Sequence, residues 1–307
     1  MKKQISYVSS DGMTRLHGVI WEPEGEPRAI VQLAHGMVEY VERYGDFAEF
    51  LNEHGILVAG NDHLGHGDSI NGEEDRGYFA ERKGDNCVLK DLHRMTLVLQ
   101  KKYPNIPHFL FGHSMGSFFT RRYLCVYPDE IDGAMICGTG WQPKAVLAGA
   151  CLLTKAELLL HGGQFRSQWI DKLAFGAMNR TFEPTRTPKD WLCRNEAIVD
   201  AYIRDAKCGF LFTLNGYYGL FRTMMLAQKR SRLKKMEKRL PVLFIAGAAD
   251  PVGKFGKGVA KVAKVFEKLG MEDVKCILYP EMRHEILNEI GREAVFADVL
   301  FWLEERI

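Results

Sequence analysis

His108-Phe109-Leu110-Phe111-Gly112-His113-Ser114-Met115-Gly116 is an apolar run that breaks into a serine flanked by glycines, then passes into a helical pattern from Met115 to Val126. Strand, tight turn and helix in that order are the context required of the G-x-S-x-G nucleophile elbow. The spacing has a steric cause. The serine sits on a strained strand-to-helix turn, so Gly112 and Gly116 stand where a Cβ would collide with neighbouring backbone. His113 lies between the first glycine and the serine.

Working outward, short runs rich in β-branched residues recur at Ala29–Leu33, Ile56–Gly60, His108–Phe111, Gly133–Cys137, Val242–Ala246 and Val274–Leu278. They alternate with helical patterns at Arg43–Glu53, Asn86–Tyr103, Met115–Val126, Gly258–Leu269 and Arg292–Glu304, whose apolar residues fall at three- and four-residue spacing. Such alternation predicts a parallel sheet with crossover helices on both faces. At the N-terminus Gln4–Val8 and Arg15–Trp21 flank Ser10-Asp11-Gly12, which predicts an antiparallel hairpin and brings the expected sheet to eight strands, mostly parallel. From Trp141 to Lys235 the beat stops, for far longer than an ordinary connection of roughly 4 to 6 residues. Helical stretches at Ala145–His161 and Gly209–Gln228 make this an insertion with its own structure. The expected organisation is therefore an α/β core of residues 1–140 and 236–307 with a helical cap of residues 141–235.

Serine is a weak nucleophile at neutral pH; it requires a base, and the base requires a group that fixes its tautomer. Asp250 follows the strand Val242–Ala246, in Gly247-Ala248-Ala249-Asp250-Pro251-Val252, and His284 follows Val274–Leu278, in Met282-Arg283-His284-Glu285. Ser114, Asp250 and His284 thus stand in chain order just beyond the carboxyl ends of strands, where a parallel sheet places its ligands. A tetrahedral intermediate also needs amide donors. Met115, after the nucleophile, and Met37, in His35-Gly36-Met37 after the strand Ala29–Leu33, are the expected oxyanion donors, with Gly36 letting the chain turn inward.

With these residues in view the chain resembles the monoacylglycerol lipase and lysophospholipase branch of the α/β-hydrolases. The resemblance rests on His35-Gly36-Met37-Val38-Glu39-Tyr40-Val41-Glu42-Arg43-Tyr44, Asp62-His63-Leu64-Gly65-His66-Gly67-Asp68-Ser69, the elbow, Asp250-Pro251-Val252 and His284-Glu285. It implies the α/β-hydrolase fold, the triad and oxyanion roles just assigned, a helical cap over the site, and hydrolysis of lipid esters. It also implies a structural part for His66, holding the oxyanion turn. Ser117 departs from the pattern, standing where a glycine usually follows the elbow.

Composition excludes several other classes. Lys plus Arg number 41 against 39 Asp plus Glu, so no global field draws nucleic acid. Seven cysteines without a C-x-x-C pair or metal-ligand spacing read as small hydrophobes in a reducing cytoplasm, and neither metal nor organic cofactor is implied. The N-terminal residues lack a signal peptide's apolar run, and the most apolar stretch, Ala145–Leu160, is broken by Lys155 and Glu157. Glu39 and Arg43, four apart, are expected to form a structural pair. The basic run Lys229–Arg239 reads first as a solvated helix face and second as a contact with an anionic lipid surface. Leu211, Phe212, Leu214, Tyr217, Tyr218, Phe221, Met224 and Met225 offer apolar surface for core packing or an acyl channel. Amidase, thioesterase and carbon–carbon hydrolase chemistry on the same fold stay open, as does a non-catalytic binding protein; an epoxide or haloalkane hydrolase would need a carboxylate at position 114. Oligomeric state is not legible.

Overall fold

The computed structural model describes residues 1–307. Eight strands form one sheet: β1 (Lys2–Val8), β2 (Arg15–Trp21), β3 (Ala29–Ala34), β4 (Ile56–Asn61), β5 (His108–His113), β6 (Gly133–Cys137), β7 (Val242–Gly247) and β8 (Val274–Tyr279). Their order across the sheet is β1-β2-β4-β3-β5-β6-β7-β8. β2 runs antiparallel to both β1 and β4, while every pair from β4 to β8 is parallel. This is the eight-stranded, mostly parallel sheet of the α/β-hydrolase fold.

Alternation along the central strands feeds two cores, because successive side chains of a strand point to opposite faces. Phe109, Phe111, Met135, Leu243 and Ile245 face α1 (Gly45–Glu53) and α10 (Arg292–Glu304), where Phe47, Leu51, Phe296 and Trp302 fill the layer. Leu110, Ala134, Ile136 and Phe244 face the opposite way, onto α2 (Gly84–Lys102), α3 (Met115–Val126) and α9 (Lys257–Lys268) through Leu92, Phe119, Tyr123 and Phe266. Burial on both faces leaves the inner strands with no polar side, which is why they read as continuous apolar runs.

Between β6 and β7 lie α4 (Lys144–His161), α5 (Gln168–Phe175), α6 (Glu196–Arg204), α7 (Leu214–Ala227) and the single turn α8 (Arg230–Leu233). α7 packs along α4 on one side and against α2 and α3 on the other, joining this segment to the sheet layer. Its two stems are pinned together. Gln142 and Gln228 exchange hydrogen bonds of 2.8 and 2.9 Å, and the buried Arg121 of α3 donates to the carbonyls of Gly140 at 2.9 Å and Ala227 at 3.0 Å. No helix is long and apolar enough to cross a membrane.

Two expectations late in the chain differ from the structure. The helical reading of Gly209–Gln228 begins too early: α7 starts at Leu214, because Thr213 caps it by accepting from the Gly216 amide at 3.1 Å while donating to Gly77 O at 2.7 Å. Before that cap, Gly209 at φ +63 turns the chain and gives its amide to Val38 O at 2.9 Å, so residues 210–212 run as a strap. The basic run is no helix face either. Only Arg230–Leu233 is helical, since Leu233 and Met236 are both buried and the chain must turn to sink them.

Candidate active site

β5 carries the chain through Gly112 and His113 directly into Ser114, which sits at φ 51, ψ −116 at the head of α3. A non-glycine residue with positive φ is strained and persists only where its surroundings over-determine it. Here they do. The Ser114 amide donates to Cys137 O of the neighbouring strand at 3.0 Å, and its carbonyl accepts from the Ser117 amide at 2.9 Å and the Ser117 hydroxyl at 2.5 Å. Ser117, in place of the familiar glycine, therefore adds a bond to the turn. A Cβ at Gly116 would lie 1.9 Å from Ala34 O, and one at Gly112 would lie 2.2 Å from Thr120 Oγ1 and 2.6 Å from Gly116 O. Both glycines are sterically obligatory.

Asp250 and His284 arrive from the ends of β7 and β8. Asp250 Oδ2 lies 3.0 Å from His284 Nδ1, and its Oδ1 accepts from the Val252 amide at 2.8 Å. Asp250 is fully buried and His284 nearly so. Two rings flank the imidazole: His113 with its centroid at 4.8 Å and Trp191 at 5.1 Å. Gly247, at the end of β7, lets the segment that carries His284 pass directly over it, since a Cβ there would stand 2.0 Å from Met282 O.

The third element is the loop after β3. His35 directs Nδ1 to Gly36 O at 2.8 Å and accepts from the His63 amide on Nε2 at 2.8 Å, while the Gly36 amide donates to Glu39 Oε1 at 2.6 Å. His66 is buried with its ring 5.2 Å from that of His35, and it is not among the residues that line the cavity of His284. Gly36, Met37, His113, Ser114, Met115 and His284 all line one cavity of about 970 Å³, and Asp250 lies behind His284. The amides of residues 115 and 116 head α3, where backbone donors lack helical partners and the helix dipole favours negative charge. A serine, a carboxylate-anchored imidazole and free amides at one cavity can together perform acyl transfer.

A buried charged network ties these loops together, and only its Glu39–Arg43 pair was legible in the sequence. Arg43 Nη1 bonds Glu39 Oε2 at 2.7 Å and its fork grips Glu285, beside His284, at 2.8 and 2.7 Å. His113 places Nδ1 3.2 Å from Glu39 Oε1 and Nε2 3.3 Å from the His284 carbonyl. Burial disfavours the charged form of His113, but the hydrogen bond to Glu39 and that carboxylate's charge outweigh it and raise its pKa. Burial likewise opposes ionisation of Glu39, yet His113 and Arg43 together hold it well below the usual carboxylate range.

His17, Asp62 and Asp68 bring ligand atoms within 4.8 Å of one another, the one cluster with a geometry a cation could use. Asp62 is already engaged there by the Val41 amide at 2.8 Å, the Asp68 amide at 2.9 Å and His17 Nδ1 at 3.1 Å, and Asp68 by Lys207. Its role is to brace the loop after β4 against that after β3.

Similarity to known proteins agrees with this architecture. The chain is 25% identical over 294 residues to a monoacylglycerol lipase of Mycolicibacterium smegmatis, covering 95% of this chain and 94% of that one. It is 26% identical over 298 residues to the monoglyceride lipase of Homo sapiens, covering 93% and 86%. Among solved structures, a thermostable carboxyl esterase from Bacillus coagulans in complex with glycerol superposes with a TM-score of 0.92 at 29% identity, covering 99% of this chain and 98% of that one. A soluble variant of the monoglyceride lipase of Saccharomyces cerevisiae shares the fold at a TM-score of 0.77 and 20% identity, covering 99% and 94%. Residues 25–291 match the family described as serine aminopeptidase, S33, and over that span the chain belongs to this family of α/β-hydrolases.

Proposed function

We propose that the chain is a serine hydrolase of carboxylic esters, acting on single-chain lipid esters of the monoacylglycerol or lysophospholipid type. Ser114 attacks the ester carbonyl while His284 takes its proton, Asp250 holds the imidazole in the tautomer that can accept it, and the Met37 and Met115 amides receive the oxyanion. His284 then protonates the leaving alcohol. Water, activated by the same histidine, releases the acyl group. The reaction draws only on side chains, backbone amides and water.

The observation that carries this reading is the buried Asp250–His284 pair, 3.0 Å apart, opening with the strained Ser114 onto one cavity. The ester class is supported by the monoglyceride lipase relatives and by the esterase structure at 29% identity. The single-chain preference is supported by the apolar wall that residues 141–235, the proposed cap, raise over Ser114: Leu147, Ala150, Ile170, Leu220, Phe221 and Met224 all line the cavity. Each methylene buried against that wall contributes up to about 0.8 kcal/mol, so kcat/KM rises with chain length until the slot is full. Contact with lipid surfaces is supported by the outward leucines of α4, Leu152, Leu159 and Leu160, each at least 70% exposed.

A fluorophosphonate probe followed by an ester panel tests the proposal. Wild-type protein is labelled and Ser114→Ala is neither labelled nor active, because only an activated serine reacts at a useful rate. Labelling of the variant at the wild-type rate overturns the nucleophile. Faster turnover of matched amides or thioesters than of monoacylglycerols overturns the substrate class.

A further inference from the structure

The cavity is not uniformly apolar, and one of its charged side chains has no contact partner in the protein. Its carboxylates are Glu39, Glu285 and Asp171, and its ammonium groups are Lys189 and Lys254. Glu39 pairs with Arg43 and with His113, Glu285 pairs with Arg43, and Asp171 accepts the Tyr217 hydroxyl at 2.5 Å. Lys254 is exposed at the mouth. Lys189 remains: a cation in the wall whose side chain makes neither an ion pair nor a hydrogen bond within the protein.

Lys189 stands in the wall that runs from the loop after β3 to His284. Its Cε lies 3.9 Å from the point a Cβ on Gly209 would occupy, with Tyr202 Cε1 at 3.1 Å from the same point. Gly209 and Tyr202 both donate to Val38 O, at 2.9 and 3.1 Å, so this wall is continuous with the loop that carries Met37. Two residues on from Lys189, Trp191 stands against His284. The apolar residues of α4 and α7 line the same cavity and suit an acyl chain. The wall beside the imidazole that must protonate the leaving oxygen suits the alcohol.

We propose that Lys189 is a specificity-determining residue for the alcohol half of the substrate, and that it favours esters whose alcohol carries an anionic phosphate, the 1-acylglycerol 3-phosphates, over neutral monoacylglycerols. This rests on the ester-hydrolase reading of the same site. Water cleaves the acyl C–O bond to give a fatty acid and glycerol 3-phosphate, and the phosphate ester is untouched. An unpaired, partly desolvated ammonium is a strong donor to a phosphate oxygen, because the competing water has already been removed. Burial lowers the pKa of Lys189, and the charge of Asp171 opposes that shift.

The experiment compares kcat/KM for 1-octanoylglycerol 3-phosphate and 1-octanoylglycerol below their aggregation thresholds. A second pair, monomethyl azelate and methyl nonanoate, puts an anion on the acyl half instead. The readout is the anionic-to-neutral ratio within each pair, which cancels any loss of active enzyme in a variant. In the wild type the phosphate ratio exceeds one; it falls at least about tenfold in Lys189→Met and is largely kept in Lys189→Arg. A wild-type ratio below one, or the same ratio in Lys189→Met, overturns the proposal. An azelate ratio that collapses in Lys189→Met while the phosphate ratio stands assigns the ammonium to the acyl half and overturns the placement. Absence of turnover on all four esters, with Ser114 unlabelled, overturns the underlying ester-hydrolase reading instead.

Discussion

Gly247→Ala tests whether the reach of the His284 segment depends on a missing side chain. The added Cβ would stand 2.0 Å from Met282 O and 2.1 Å from Arg283 O, whereas Cβ contacts shorter than 3.0 Å are essentially never seen. Both obstacles are backbone atoms, so the segment must retreat by about 1 Å; rotation of a side chain cannot relieve the contact. It is also tethered, through Ala249 N to Met282 O at 3.0 Å and Ala248 N to Tyr279 O at 2.8 Å, and the retreat strains those bonds. The displaced residues adjoin His284, while Asp250, three residues beyond Gly247, stays with β7, so the 3.0 Å Asp250–His284 bond opens. A displacement of 1 Å in a reacting constellation costs on the order of 100-fold, and we expect that loss in kcat on a saturating 4-nitrophenyl ester, with KM changed far less. The apolar wall proposed to hold substrate does not move. Gly45→Ala is the control: it lies at the start of α1 with nothing within 4 Å of its Cβ position. A Gly247→Ala protein that melts cooperatively yet keeps kcat within about threefold of wild type refutes the steric argument.

Acid should weaken the fold through its buried histidines. Burial, with help from His35, lowers the His66 pKa to about 3, and burial alone lowers His108 to about 4. Below about pH 6.5 the unfolded chain binds protons that these folded imidazoles refuse, so stability present at pH 7 is lost as pH falls toward 4, by roughly 2 kcal/mol per histidine at pH 5. Urea melts should show His108→Gln with a shallower pH dependence, and an unchanged slope would count against the assignment. Arg43→Met leaves Glu39 and Glu285 buried without their shared cation and should cost roughly 3–5 kcal/mol, with Arg43→Lys restoring little because the bidentate grip is lost. A loss below about 1 kcal/mol would mean that water reaches the carboxylates. Replacing Leu159 and Leu160, 76% and 75% exposed, by serine should lower partitioning onto phosphatidylcholine–phosphatidylglycerol vesicles about tenfold in a sedimentation assay, and unaltered partitioning would place the lipid contact elsewhere.

The sheet was legible because its inner strands are buried on both faces. Ala29–Leu33 and Val242–Ala246 have no solvent side, so apolar runs alone marked them, and the structure lengthens each by one residue. The α1 start was not: Val41–Tyr44 forms a 3-10 turn before α1, because the chain must first lead Tyr44 and Arg43 inward to Glu39. Within residues 141–235 the periodicity of α4 was readable, while α5 and α6 were not anticipated, since eight and nine residues barely complete two turns. Ser114, Asp250 and His284 could be nominated from chain order and strand ends. Gly247, Trp191 and Lys189 could not, because what singles them out is proximity to groups on other elements.

The charged network makes the same point energetically. Glu39 follows β3, His113 ends β5, Arg43 precedes α1 and Glu285 follows His284, so no local pattern beyond the Glu39–Arg43 spacing could join them. Taking such groups out of water costs several kcal/mol per ion, which attraction offsets only when every donor and acceptor is matched. Here the matching is close: two carboxylates face a guanidinium and an imidazole whose pKa is raised, and Tyr44 donates to Glu39 Oε1 at 2.9 Å. Apolar residues of similar volume could fill the space and be as stable, but they would let three loops slide independently. A bidentate fork and an imidazole bridge fix distances and angles. The network therefore ties the Gly36 amide, the residue before Ser114 and the carbonyl of His284 into one frame, and it does so with side chains that stand outside the proposed reaction.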